Sequence, residues 1–466
     1  MTDFTELVDL ASERLGGVVL WATDDFFAPK ENLLKPEPAV FIEGKYTDAG
    51  KWMDGWETRR HRAPDHDWCL IRLGAPGIVR GVVVDTAHFK GNFPEKCSIE
   101  ASADQEEWTE ILAPSDLRGD SKNLFPIDNP YRYTHLRLRI YPDGGVARLR
   151  VHGIVTPECL GEFIDLAAAE NGAYVAECTD MFFGSRHNLI FPGRSNGMHD
   201  GWETRRRRGP GHDSTVIHLA AHGEIRRVEV DTLHFKGNFP ESCSLEHFAE
   251  EILPRTKLKA HTRHVFEKEL KPAAVSRVRF SIYPDGGVSR LRIFGSPTAA
   301  GRAAHRTRLL NALPPKEAHA RFVACCGSRR WAEQMVAARP FPSPEAEFEI
   351  AERIWRSLSR EDYLEAFAAH PRIGQRTSDS RASAEQSGTQ SASAETLREL
   401  ARLNVEYDAK FGHIYIVCAT GKSAEEMLAL LRVRIQNDAA TEIANAAEEQ
   451  LKITRLRLAK IGFPPR

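Results

Sequence analysis

Two stretches of this chain bring guanidinium, carboxyl and imidazole groups together beside glycines, and each stretch occurs twice. Asp54-Gly55-Trp56-Glu57-Thr58-Arg59-Arg60 returns 146 positions later as Asp200-Gly201-Trp202-Glu203-Thr204-Arg205-Arg206. Asp85-Thr86-Ala87-His88-Phe89-Lys90-Gly91-Asn92 returns at the same offset, from Asp231 through His234 to Asn238. Arg59, Arg60, Arg205 and Arg206 are suited to gripping a carboxylate with two parallel N–H donors. Asp85 with His88, and Asp231 with His234, could form carboxylate–imidazole pairs for proton transfer. Glycine lets backbone approach a ligand closely. A competing reading is structural: Asp54, Trp56, Glu57, Asp143 and Arg148 would hold turns and ion pairs. An Asp and a His three positions apart could also ligate a metal, but no further His sits at ligand spacing.

A second set of reactive types lies near the C-terminus. His370-Pro371-Arg372-Ile373-Gly374 places an imidazole before a proline, which disfavours α geometry and so puts His370 at a helix end. Glu385-Gln386-Ser387-Gly388 follows, then Asn404, Tyr407, Lys410-Phe411-Gly412-His413, Arg434 and Asn437. Taken alone, Glu385 and Arg434 read as a surface ion pair. Gly421-Lys422-Ser423 imitates the end of a phosphate-binding loop, but the glycine that motif needs earlier is Ile416, which argues against a nucleotide site.

The elements that must carry these groups differ between the two regions. His135-Leu136-Arg137-Leu138-Arg139-Ile140 alternates apolar and polar residues with period two, and Arg277 to Ile282 repeats the pattern, as half-buried strands require. Val82 to Val84 and Val228 to Val230 are short strand runs, with turn formers such as Pro142-Asp143-Gly144-Gly145 between strands. The Tyr-Pro-Asp-Gly-Gly turn recurs at Tyr283 with an offset of 142. Repeats this long are duplicated domains, not solenoid units. The expected fold is multidomain: two tandem all-β jelly-roll-like sandwiches, then an all-α helical domain. The expected boundaries are 15–158, 170–297, a linker over 298–315, and 316–466. A short amphipathic helix is expected over Leu7 to Leu15, another over Leu160 to Ala169, and a strand-like run over Ile414 to Cys418. Beyond Pro315 the period becomes 3.6, with Ser343-Pro344-Glu345 and Ser423-Ala424-Glu425-Glu426 as helix starts and a last helix through Ile443 and Leu458.

Composition narrows the class. With 466 residues there is room for two to four domains, and a net charge of −2 gives no long-range field for nucleic acid or an anionic membrane. No apolar run approaches the ~20 residues of a membrane span, and the N-terminus lacks a signal-peptide pattern. Eight cysteines form no spaced framework, which favours reduced thiols and a cytoplasmic location.

The repeated blocks resemble allantoicase over roughly residues 15–297. The resemblance implies hydrolysis of allantoate to (S)-ureidoglycolate and urea. On that reading a guanidinium (Arg59, Arg60, Arg205, Arg206) anchors the carboxylate. Carboxylates (Asp54, Glu57, Asp85, Asp200, Glu203, Asp231) accept hydrogen bonds from the ureido groups. His88 or His234 donates the proton that expels urea. The C-terminal region resembles OHCU (2-oxo-4-hydroxy-4-carboxy-5-ureidoimidazoline) decarboxylase over roughly residues 316–460, through His-Pro-Arg-Ile-Gly, Glu-Gln-Ser-Gly, Lys-Phe-Gly and Arg434-Ile435-Gln436-Asn437. This implies (S)-allantoin as product, with His370 as acid/base, Glu385 and Arg434 at the reacting centre, and Gln386 and Asn437 on the substrate. Serine-rich residues 378–393 then form an active-site loop. No cofactor is expected, since the adjacent C=N can absorb the electrons left by CO2; a divalent metal in the β half stays an open alternative. The expected partners are allantoate and OHCU, with assembly into a homo-oligomer. Rival readings make the β half a sugar- or partner-binding module tethered to the decarboxylase, or leave one half catalytically dead. Urea release from allantoate, and separate assays of each half, discriminate them.

Overall fold

The computed structural model describes residues 3–61, 65–371 and 393–463. The chain forms two compact units, one reaching to Ala312 and the other spanning Leu313–Ile461.

The first unit holds two β-sandwiches of matching topology. Each is threaded by one 19-residue strand, Asp67–Asp85 and Asp213–Asp231. Residues 67–72 of the first long strand pair with Arg132–Tyr141 and Val18–Ala22. Residues 77–85 pair with Arg148–Val155, residues 77–78 also with Tyr133 and Arg132, and residues 81–85 also with Lys122–Pro126. One strand thereby belongs to both layers, as when a strand changes sheets at a bend. Its side chains alternate in burial, and Ile71, Val82, Val84, Leu136, Leu138, Ile140, Leu149 and Val151 fill the space between the layers. The second copy repeats this arrangement.

Neither expected leader helix forms. Val8–Asp9 is a strand edge paired with 152–153, followed by a turn of 3-10 helix at Glu13–Leu15. Ile164–Asp165 pairs with Phe294 and Gly295, followed by 3-10 helix at Ala169–Asn171. The apolar residues that suggested a helix face are buried in the sandwich core. Both segments are the start of a repeat. Asp9 accepts the Ala11 and Val151 amides (3.2 and 2.9 Å), and Asp165 accepts those of Ala167 and Ile293 (3.0 and 2.9 Å).

The expected linker is also corrected. Ala299–Ala312 is a helix, α1, with Leu309 and Leu310 fully buried, and its Arg308 donates to the Ala220 carbonyl at 2.9 Å. The second unit contains α2 (Pro315–Cys326), α3 (Arg329–Ala337), α4 (Pro344–Arg356), α5 (Arg360–Ala368), α6 (Ala394–Phe411), α7 (Ala424–Arg434) and α8 (Ala439–Ala459). Ser343 caps α4 through the Ala346 amide, and Ser423 with Glu426 forms a capping box on α7. Buried Trp331 and Trp355 donate to the Ala351 and Ala447 carbonyls, each at 3.0 Å, the second tying α4 to α8. Residues 415–418 are buried, but 414–418 form no strand.

Candidate active sites

In the β unit the repeated motif divides into a frame and a rim. Asp54 and Arg148 belong to the frame. The Arg148 guanidinium donates to Asp54 Oδ2 (2.7 Å) and to the carbonyls of Asp54 (3.0 Å), Ala147 (2.7 Å) and Glu37 (2.9 Å). Burial pushes the Asp54 carboxyl up, but the Arg148 hydrogen bond, the Val40 amide and the Arg148 and Lys35 charges outweigh it and hold it below the usual range. Asp200 and Arg290 repeat the pair at 3.0 Å, with Arg14 3.6 Å from Asp200. Trp56 and Trp202, both fully buried, donate to the carbonyls of Asp24 and Asp180 (2.7 and 2.8 Å). The structural reading thus describes Asp54, Trp56 and Arg148. Arg59 and Arg205 are tied to Asp24 and Asp180 at 2.9 and 3.2 Å. Arg60 is exposed and is not among the residues lining the cleft beside Glu57.

The expected Asp–His pairs do not form either. Asp85 and Asp231 instead close their own turns, accepting the amides of Ala87 and Leu233 at 2.8 and 2.9 Å. The ring of His88 meets the Ala39 carbonyl at 3.2 Å, and that of His234 the Ser195 carbonyl at 3.0 Å, both through Nε2. A carbonyl only accepts, so Nε2 carries the proton and Nδ1 is the acceptor in the neutral ring. Both histidines occupy left-handed backbone, φ 71° and 72°, a strained state for a non-glycine residue that concentrates at functional sites.

Each copy opens a cleft of about 580 Å3 beside the Glu of its motif. Glu57 accepts from Asn92 Nδ2 at 2.6 Å, and Glu203 accepts likewise from Asn238. Burial raises both carboxyls above their ordinary range, partly offset by those amides. The Gly-Gly turn of each copy packs against an aromatic ring. A Cβ on Gly145 would lie 1.9 Å from the Phe89 ring, and one on Gly287 1.9 Å from Phe235.

The rims differ. In the first copy 22 positions separate Asn32 from Asp54, against 12 between Asn188 and Asp200. The extra segment brings Phe41 and Lys51 to the first cleft, with Phe41 against the His88 ring (5.9 Å) and the Lys51 ammonium over Phe41 (4.6 Å). The first cleft therefore combines Glu57, Asn92, His88 and Lys51. The second has Glu203, Asn238, Arg206, Arg207 and Lys257, while His234 is not on its wall. Lys51, Asn92 and Lys257 received no role from spacing, because the chain distances that bring them to the clefts are long.

In the helical unit Arg434 faces inward. Its guanidinium contacts Glu442 at 2.6 Å and the Ile416 carbonyl at 2.7 Å, and stacks over Tyr415 at 4.9 Å. Glu442 is fully buried and also accepts from the Tyr407 hydroxyl and from Asn437 Nδ2 (2.8 Å). Burial works against the Arg434 charge, but Glu442 more than compensates. Arg434 and Asn437 are thus joined through a carboxylate that sequence reading missed; nothing in the spacing marks Glu442 out from the other acids of α8. His370 follows α5, its amide donating to the Phe367 carbonyl at 3.1 Å. The Phe367 ring packs on buried His413 at 5.3 Å, and His413 on Tyr407 at 5.5 Å, so an aromatic wall runs from the end of α5 to the Glu442 centre. Burial lowers the His413 pKa. Glu385 and Gln386 lie outside the described residues. Among the described residues no three His, Cys, Asp or Glu side chains are grouped to hold a metal ion.

Comparison with known proteins divides the chain in the same way. Residues 8–156 and 164–298 match the family model described as allantoicase repeat, and residues 311–459 match the one described as OHCU decarboxylase. The chain is 49% identical over 323 residues to a Ralstonia nicotianae protein named "Probable allantoicase", covering 63% of this chain and 96% of the relative. It is 47% identical to allantoicase of Dictyostelium discoideum, covering 62% and 87%. The solved structure of allantoicase from Saccharomyces cerevisiae is similar at 37% identity and a TM-score of 0.56, covering 62% of this chain and 92% of that one.

Proposed function

Since the chain belongs to the allantoicase family and carries an OHCU decarboxylase domain behind the two repeats, it is a bifunctional enzyme of purine breakdown, and we propose that its allantoate-hydrolysing centre is the cleft of the first repeat. Both repeats have a glutamate raised by burial and a strained histidine; the observation that carries this assignment is that only in the first does the histidine, His88, share the cleft wall with the glutamate.

The geometry supports a two-step route. Allantoate bears a carboxylate and two ureido groups on one carbon. Lys51 draws in the carboxylate, and Asn92 keeps Glu57 oriented. Glu57, which burial keeps protonated further up the pH scale than a surface glutamate, gives its proton to one ureido nitrogen. The C–N bond breaks with its electron pair leaving on urea, as the lone pair of the other ureido nitrogen forms a C=N bond to the same carbon. Water then adds to that carbon and returns a proton to Glu57, giving ureidoglycolate. His88 Nδ1 is an acceptor that can orient the water.

In the helical unit, His370 handles the hydroxyl proton of OHCU while the neighbouring C=N accepts the electrons released with CO2. The Arg434–Glu442 centre holds the wall beside it. A cytoplasmic setting is in keeping with eight cysteines of which none is in a disulfide. No helix among the described residues is long and apolar enough to cross a membrane.

The assignment is tested by urea release from allantoate. Glu57→Gln is expected to lower kcat by at least about 100-fold, within the usual reach of acid–base catalysis, and Glu203→Gln to retain most of it. The reverse pattern would move the centre to the second repeat.

A further inference from the structure

The second cleft is not a faded copy of the first. It keeps the Glu203–Asn238 pair and a volume of about 580 Å3, yet its wall carries cations where the first copy has a histidine and the Phe41 segment. Several of its acids are already committed. Asp285 accepts the Arg207 amide at 2.7 Å, and Glu241 is held by Arg255 (3.1 Å) and the Ser242 hydroxyl. The Arg207 guanidinium is taken by Asp213 at 2.5 Å. Arg206 and Lys257 remain, and neither forms an ion pair among the described residues. Glu203 is shielded by Asn238 and biased by burial toward its neutral form. Arg206, and Lys257 whose charge also acts on Glu241, thus flank a carboxyl–carboxamide pair able to exchange hydrogen bonds with a ureido group.

We propose that this cleft is a binding site for a small ureido-substituted carboxylate, held without being turned over. Arg206 and Lys257 take the carboxylate, and Glu203 and Asn238 take the ureido group. The chemistry is that of the substrate and product of the first cleft, so the second cleft senses the ligands of the reaction it does not perform. The inference rests on the assignment of catalysis to the first repeat, and the two failures are distinguishable.

The experiment is equilibrium dialysis or calorimetry of the full chain with allantoate, in a Glu57→Gln background so that the ligand survives. Adding Arg206→Glu with Lys257→Glu is expected to remove one equivalent of bound allantoate, or to weaken that equivalent at least tenfold. The charge-keeping pair Arg206→Lys with Lys257→Arg is expected to retain it, and serves as the control for a folding defect. An unchanged number of equivalents and affinity after charge reversal would overturn the proposal. Loss of the equivalent in the charge-keeping pair as well would also overturn it, because cation charge would not be the determinant. If Glu57→Gln still releases urea at the normal rate, the assignment of the first cleft fails and the proposal fails with it; if turnover is lost but charge reversal removes no equivalent, the proposal alone fails.

Discussion

Replacing Asp54 with alanine separates framework from chemistry. The side chain is 8% exposed and its partner Arg148 3%, so the pair lies where solvent screening is weak. The substitution removes the 2.7 Å carboxylate contact but leaves the guanidinium buried against three carbonyls, which cannot neutralise it. Breaking a buried pair by deleting one partner costs about 3–5 kcal/mol. At about 2–4 °C per kcal/mol for a unit of this size, the melting transition of the β unit should fall by about 6–20 °C. Scanning calorimetry of Asp54→Ala reads that shift. Below the new transition, kcat for urea release per folded molecule should stay within about threefold of the parent, since one kcal/mol or less separates such rates. The result that refutes the reasoning is the opposite one: a melting temperature within about 2 °C of the parent, with urea release lost. Asp54 would then be acting on substrate, as the bare motif had suggested.

Other perturbations address the remaining links. Gly145→Ala places a methyl group 1.9 Å from the Phe89 ring; it should destabilise the first sandwich by at least about 1–3 kcal/mol, measurable as a lower denaturant midpoint. Because burial raises the Glu57 carboxyl and its acid form starts the reaction, kcat for urea release should decline as pH rises through that elevated pKa, and Glu57→Gln should abolish the limb. Asp54 has the opposite sign: its folded pKa is depressed, so its stabilisation is present above the unfolded carboxylate pKa and is lost as pH falls through the folded one. A pH series of melting temperatures should show the acid-side loss shrink in Asp54→Ala. In the helical unit, Glu442→Gln should cost about 3–5 kcal/mol by leaving the Arg434 charge buried and uncompensated, and His370→Ala should abolish CO2 release from OHCU while urea release from allantoate persists.

The fold was largely legible because its signals are local. Alternation in His135 to Ile140 and capping at Ser343 and Ser423 each fix one element within a few residues, and the duplicated motifs revealed the repeat. Leu7 to Leu15 and Leu160 to Ala169 misled for a physical reason. Their apolar residues serve a strand edge and a 3-10 turn packed on a sheet, and that tertiary demand overrides a short helical period. The site was less legible. The same residue types serve as frame and as rim, and only distance separates them. Asp54 and Glu57 are three positions apart, yet one is locked to Arg148 and the other faces a cleft. Arg434 taken alone read as half of a surface ion pair with Glu385, whereas it is buried against Glu442 near the start of the next helix, an acid that no spacing signal marks.

The long strands have a consequence for how the β unit comes apart. Asp67–Asp85 is an inner strand of both layers of its sandwich, and Asp213–Asp231 does the same in the second. Neither layer can peel away while its neighbour stays hydrogen-bonded, so each copy should open as one cooperative block. Amide hydrogens near Ile71 and near Val84, in the two halves of that strand, should then exchange with a common opening free energy.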